Sequence, residues 1–139
     1  VPYATQQDLV DRYGDAELKQ LADRNRDGAI EAAVVTRCLA DASDTIDSYI
    51  GQRYQLPLAA VPPVLKRVCC EIARFLLYAD GATEAVAANH EWALGWLKDV
   101  AAGKAGLDVS GSEPAAAGGG QVLVSGPDRT FSRRSLRGL

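Results

Sequence analysis

The chain has no methionine, a single histidine and only three cysteines in 139 residues. One histidine, His90, excludes metal centres built on several imidazoles and leaves at most one base for a Ser-His-Asp or Cys-His arrangement. Cys38, Cys69 and Cys70 cannot all pair within one molecule, and adjacent cysteines are poorly placed to bridge each other, so reduced, buried thiols are expected. Aromatic residues make up 6% of the chain while the hydrophobic fraction reaches 47%, carried by Ala, Val and Leu, which favours helices. No run approaches the ~18 uninterrupted apolar residues of a membrane span, and the N-terminus lacks the basic and apolar blocks of a signal peptide. A cytosolic chain is expected, and the missing methionine at position 1 fits removal of an initiator ahead of the small residue Val1. The length allows one core, so separate cofactor and substrate domains are not expected.

Composition changes abruptly near residue 102. Residues 103–120 hold six Gly and four Ala, with Ser110, Ser112 and Pro114, and read as a linker. Beyond it, Gln121-Val122-Leu123-Val124-Ser125 has the character of a short strand, followed by the Gly126-Pro127-Asp128 turn. Residues 121–139 carry Arg129, Arg133, Arg134 and Arg137 against Asp128 alone, a net +3, which leaves −6 on residues 1–120. The expected organisation is a helical body (1–102), the linker (103–120) and a basic arm (121–139).

Within the body, Thr5 and Asp8 form a capping-box variant that opens a short helix through Leu9, Val10 and Tyr13 to Gly14. Asp15–Leu21 supplies another turn or two. Val35, Cys38, Leu39, Ala42, Ile46, Tyr49 and Ile50 follow helical spacing, so residues 31–50 form a helix, with Asp41, Asp44 and Asp47 on its solvated side. Arg53–Leu58 reads as extended, because Pro57 disfavours helix before it. Pro63 then starts the core helix, whose stripe is Leu65, Val68, Cys69, Ile72, Phe75, Leu76 and Ala79, stopped by Gly81. Thr83 caps a last helix running through Val86, Ala93, Leu94, Leu97 and Val100 to Gly103. The fold class is all-α: a four-helix bundle-like body with an extended C-terminal arm containing a short β-strand. No fixed-period repeat suggests a solenoid.

The sharpest motif is Asp23-Arg24-Asn25-Arg26-Asp27-Gly28-Ala29-Ile30, which matches the first eight positions of an EF-hand or dockerin calcium loop. Asp23, Asn25, Asp27 and Glu31 are its candidate calcium ligands. The twelfth position, where a bidentate Glu normally closes the shell, is Val34, and Arg24 and Arg26 dilute the negative charge. Two readings stand: a calcium-responsive helical binding module, or an Asp/Asn/Gly turn that caps the next helix without metal. His90 has no nucleophile elbow or protease-type cysteine context, so a helix-packing imidazole is its ordinary account. Trp92 and Trp96, four apart, pack on the bundle or anchor an interface, with core packing preferred. Gly118-Gly119-Gly120 lacks the Lys and Ser/Thr of a phosphate loop. Besides Phe131, no aromatic interleaves the arm's arginines, and an acidic body does not suit specific nucleic-acid reading.

Four blocks occur in one order: Tyr3–Leu9, the Asp23–Ile30 loop, Ala42–Tyr54 (Ala-Ser-Asp-Thr-Ile-Asp-Ser-Tyr-Ile-Gly-Gln-Arg-Tyr) and Val61-Pro62-Pro63-Val64-Leu65. Together they resemble the Mu-like bacteriophage neck proteins of the head–tail connector class, over roughly residues 3–100. The resemblance implies a structural adaptor rather than an enzyme, with no cofactor, located at the head–tail interface of the virion and assembled in the bacterial host cytoplasm. It implies a homo-oligomeric ring of dodecameric symmetry beneath the phage portal protein, receiving the tail-side stopper and letting DNA pass through its lumen without sequence reading, away from any membrane. In such adaptors a C-terminal arm becomes ordered on docking. Here the contacts fall to Val122, Leu123, Val124, Arg129, Phe131, Arg133, Arg134 and Arg137. An acidic lumen would repel DNA and let it slide, while the basic arm would grip an acidic portal or neighbouring chain.

Overall fold

A computed structural model describes residues 2–79 and 81–107. Thr5 opens α1 (Gln6–Tyr13) with the reciprocal box expected of it. Its hydroxyl accepts the Asp8 N–H at 3.3 Å, and the Asp8 carboxylate accepts the Thr5 N–H at 2.9 Å. The bond from the Thr5 backbone, helped by the Thr5 hydroxyl and the Lys66 ammonium, holds the Asp8 carboxyl below its ordinary range against the opposing effect of burial.

Gly14 ends α1 at φ 92°, a backbone that L side chains rarely adopt, and the chain restarts as α2 (Asp15–Ala22). Asp15 and Glu17 lie in the first turn of α2, at its positive end. The expected turn or two is present, as an eight-residue helix. The described residues hold five helices, three long and two short, in place of a four-helix bundle.

α3 (Ala32–Ile50) buries Val35, Cys38, Leu39, Ala42, Ile46 and Ile50 as the periodicity requires. Its acidic side is only partly solvated: Asp41 and Asp44 are exposed, whereas Asp47 is half-buried and accepts the Tyr3 hydroxyl. Ser43, buried on the same helix, accepts the Tyr3 N–H at 3.1 Å and donates to the Leu39 carbonyl at 2.8 Å. These bonds fasten the N-terminal residues to α3.

Between α3 and α4 the expected extended segment is instead a series of turns and bends. Tyr54 turns inward there, and Leu56 and Leu58 pack against the core. Pro63 takes the first position of α4 (Pro63–Leu77), whose Leu65, Val68, Cys69, Cys70, Ile72 and Ala73 are buried. α4 packs against both α3 and α5 and is the central element. The stripe is shorter than expected, because α4 stops at Leu77 rather than at Gly81. Ala79 adopts φ 51° and is exposed, and Gly81 N–H returns to the Tyr78 carbonyl at 3.1 Å. Phe75 and Leu76 are half-buried.

Thr83 caps α5 (Glu84–Ala102) by accepting the Val86 N–H at 3.3 Å, and Gly103 ends it in the left-handed conformation. Packing continues past that stop. Leu107 is 8% exposed and donates its N–H to the Tyr54 hydroxyl at 2.9 Å. The body is thus a trio of long helices, α3, α4 and α5, with the α1–α2 hairpin laid across α3 and α4. No strand occurs among the described residues. The expected Gln121–Ser125 strand, the Arg129–Arg137 contacts and most of the linker lie outside them.

Candidate functional site

The Asp23–Ile30 loop lies between α2 and α3, and its oxygen side chains turn onto its own backbone. Asp23 accepts the Asp27 N–H at 2.9 Å and the Gly28 N–H at 2.8 Å, one on each carboxylate oxygen. Asn25 Oδ1 accepts the Asp27 N–H at 3.3 Å, and Asp27 Oδ1 accepts the Ala29 N–H at 2.9 Å. Glu31 reaches back to the Asn25 N–H at 2.8 Å. Arg26 and Gly28 take φ 61° and 81°, which folds these donors inward. The four candidate ligands are therefore close in space, each holding a backbone amide. Among the described residues, no group of three or more His, Cys, Asp or Glu side chains is gathered so as to hold a metal ion.

His90 stacks face to face on Phe75, with ring centroids 3.9 Å apart and planes 7° from parallel. Burial lowers its pKa, favouring the neutral ring, while Glu91 opposes the shift. It packs α5 on α4. All three cysteines are free and buried, and burial is the main cause pushing each thiol upward, away from the thiolate that nucleophilic chemistry needs.

A cluster absent from the sequence reading joins α2 to α4. Glu17 Oε1 accepts Arg74 Nε at 3.0 Å, Arg74 Nη2 at 2.7 Å and the Tyr78 hydroxyl at 2.6 Å. The same guanidinium lies 4.2 Å from the centre of the Tyr13 ring on α1. Beneath it, the Tyr13 hydroxyl and Glu71 Oε2 are buried without a hydrogen-bond partner. Burial first, and the Glu71 charge second, push the Tyr13 pKa upward. Glu17 and Arg74 are 57 residues apart, so no local pattern announces the pair.

Two surfaces stand out. On α5, Trp96 packs against the core as expected, but Trp92 does not: it is 42% exposed, with the Arg67 guanidinium 4.2 Å from its ring centre. The reason is register, since Ala93 and Leu97 take the inward positions. Trp92, Gly95, Trp96, Lys98 and Asp99 border an open depression of about 440 Å³. The second surface is a groove of about 470 Å³ lined by Pro2, Tyr3, Asp47, Leu56, Pro57, Leu58 and Val61. Val61 on its rim is 46% exposed. Nothing in the sequence marked this groove, because its walls come from three separate segments.

Among the described residues these features define an all-α body whose distinctive chemistry is displayed on surfaces, with its histidine and thiols serving as packing groups. The chain belongs to the family described as "Bacteriophage Mu, Gp36", which it matches over residues 3–125. It is 35% identical over 139 residues to the "Mu-like prophage FluMu protein gp36" of Haemophilus influenzae, covering 100% of this chain and 99% of that relative. It is 39% identical over 135 residues to "Gene product J" of Escherichia phage Mu, covering 95% of each. None of these names indicates an enzymatic activity. The family match extends beyond the roughly 3–100 span of the sequence resemblance, through the Gly-rich segment and into Gln121–Ser125. Among the described residues, no helix is long and apolar enough to cross a membrane.

Proposed function

We propose that this chain is a structural head–tail connector of a tailed bacteriophage, an adaptor that assembles as a ring under the portal and receives the tail-side stopper. The observation that carries the reading is the family match, which runs from the helical body into the apolar part of the basic arm. A protein that acts by assembly needs a rigid body and an element that reaches its neighbours. The five-helix body supplies the first. Residues 121–139, net +3 beside a −6 remainder, supply the second.

In this reading Val122, Leu123 and Val124 dock through main-chain and apolar contacts, while Phe131 and Arg129, Arg133, Arg134 and Arg137 extend the grip onto acidic surfaces of the portal or an adjoining copy. The acidic body faces DNA without binding it. A dodecameric ring at the head–tail interface follows from matching the portal's symmetry. Electron microscopy of the chain mixed with its cognate portal tests the assignment. A ring on the portal's outer end is expected, and portal particles left bare would overturn it. Deleting residues 121–139 should leave a folded bundle that no longer binds portal.

A further inference from the structure

We propose that the groove bounded by Tyr3, Asp47, Leu56, Leu58 and Val61 receives the Val122–Val124 segment of a second copy of this chain. The proposal rests on reading the arm as an element that docks on an adjoining subunit, and it names the receptor.

Three features of the molecule point there. First, the groove fits a short apolar strand. In an extended segment Val122 and Val124 project on the same side, roughly 6–7 Å apart, and Leu123 projects on the other. A groove of about 470 Å³ walled by two leucines, two prolines and a valine offers room for two such side chains. Val61, 46% exposed at its edge, is apolar surface that the described body leaves open to solvent.

Second, the last described residue is fastened to the loop that also supplies part of the groove wall. Leu107 is tied to the Tyr54 hydroxyl at 2.9 Å, and Leu56 begins that wall two residues further along the same loop. From Leu107 to Val122 the chain spans at most roughly 50 Å when fully extended. A body of this size is roughly 35 Å across, so each arm can reach the equivalent groove of a neighbour, and successive exchanges close a ring.

Third, the charges complement between copies rather than within bodies. Bodies at −5 (residues 1–102) repel when they pack side by side, and an arm of net +3 laid over each neighbour brings opposite charge into that contact. Asp47 supplies a carboxylate in the groove, and Asp44, exposed one turn earlier on α3, supplies another beside it. The arm's arginines begin at Arg129, close enough to Val124 to meet them.

The test is disulfide trapping between full-length chains. Val61→Cys and Val124→Cys are made separately, one with an affinity tag, and mixed under mild oxidation at sub-millimolar concentration. The native thiols are buried and do not compete. A tagged–untagged disulfide is expected, at least about tenfold faster than for Val124→Cys paired with Ala33→Cys, which lies roughly 20 Å from Asp47 along α3. Leu58→Asp added to the Val61→Cys chain should abolish the acceleration, and salt near ~1 M should slow trapping several-fold. Equal rates for Val61→Cys and Ala33→Cys would overturn the proposal. So would a disulfide that forms only inside single chains carrying both cysteines. Portal binding is scored separately: trapping without portal binding removes the adaptor reading and keeps the groove, and portal binding without trapping does the reverse.

Discussion

Cys70 offers a quantitative check on the packing at the centre of α4. Its side chain has no exposed surface, and burial, followed by the neighbouring Cys69 thiol, pushes its pKa up to about 12. In the unfolded chain the thiol titrates near ~8.5. Because the folded value is the higher one, the associated stabilisation is complete below the unfolded pKa. It is then lost as pH rises, since the unfolded state releases a proton that the folded state keeps. One unit above the unfolded value, near pH ~9.5, the loss from Cys70 alone is roughly 1.4 kcal/mol. For a domain of this size that lowers Tm by roughly 5–6 °C. Cys69 and Cys38 shift in the same direction and add to the decline. The assay is a series of circular-dichroism melts from neutral pH to about 9.5 with a phosphine reductant present, on the native chain and on Cys70→Ala. The variant starts lower, because truncation leaves a cavity, but its pH slope should be shallower by that same ~1.4 kcal/mol. Parallel curves for the two proteins would show that the thiol is not sequestered in the folded state and would refute the reasoning.

Further predictions concern the surface clusters. Arg74→Met removes two charge-assisted bonds to Glu17 and the contact over Tyr13 while keeping an apolar stem; with both charged groups about one-fifth exposed, a loss of about 2 kcal/mol is expected in urea titration. Proteolysis of that variant should begin in the α1–α2 hairpin. Above about pH 10, unfolding should steepen again, because burial raises Tyr3 and Tyr13 and the bond to Glu17 raises Tyr78, so that the unfolded phenols release protons the folded ones keep. Asp23→Ala frees two loop amides and should cost about 1–2 kcal/mol by the same titration. Millimolar calcium should leave the native Tm unchanged, Val34 standing where a bidentate carboxylate is required, and a rise of several degrees would revive the calcium reading. Trp92→Ala should change body stability by less than ~1 kcal/mol, against about 2–3 kcal/mol for Trp96→Ala, as measured by thermal melts.

How much of this was legible depended on the distance over which each feature is encoded. The Thr5–Asp8 box, Pro63 at the start of α4, the Thr83 cap and the left-handed Gly103 each depend on residues within a turn of one another, and each appears where local pattern places it. Periodicity found the buried face of α3 almost residue for residue. It overran at the end of α4, where the apolar spacing continues to Ala79 but the backbone has already reversed at that residue. It also undercounted helices, since a glycine after eight helical residues reads equally as a terminus or a break, and only φ 92° at Gly14 decides.

Partnerships between distant segments were not legible at all. Tyr3 with Ser43 spans 40 residues, Tyr54 with Leu107 spans 53, and Glu17 with Tyr78 spans 61. A tyrosine near a chain end carries no mark of the serine it will meet. The Trp92–Trp96 pair shows the intermediate case: the spacing puts both rings on neighbouring positions of one helical face, but the face is wider than the contact. Which tryptophan turns inward is set by Ala93 and Leu97 fitting against α3 and α4, a property of the trio and not of α5. The arm is visible in the sequence because composition and charge are local, whereas its proposed receptor is assembled from residues 2–3, 47 and 56–61 and exists only once the body has folded. If the groove takes the arm of another copy, body folding must come before exchange. A chain whose body is destabilised, as in Arg74→Met, should then lose trapping at Val61 in step with its loss of folded population, measured on the same samples by circular dichroism. Trapping that persists after the body has melted would mean that the arm recognises an unfolded stretch of valines and leucines, and not the groove.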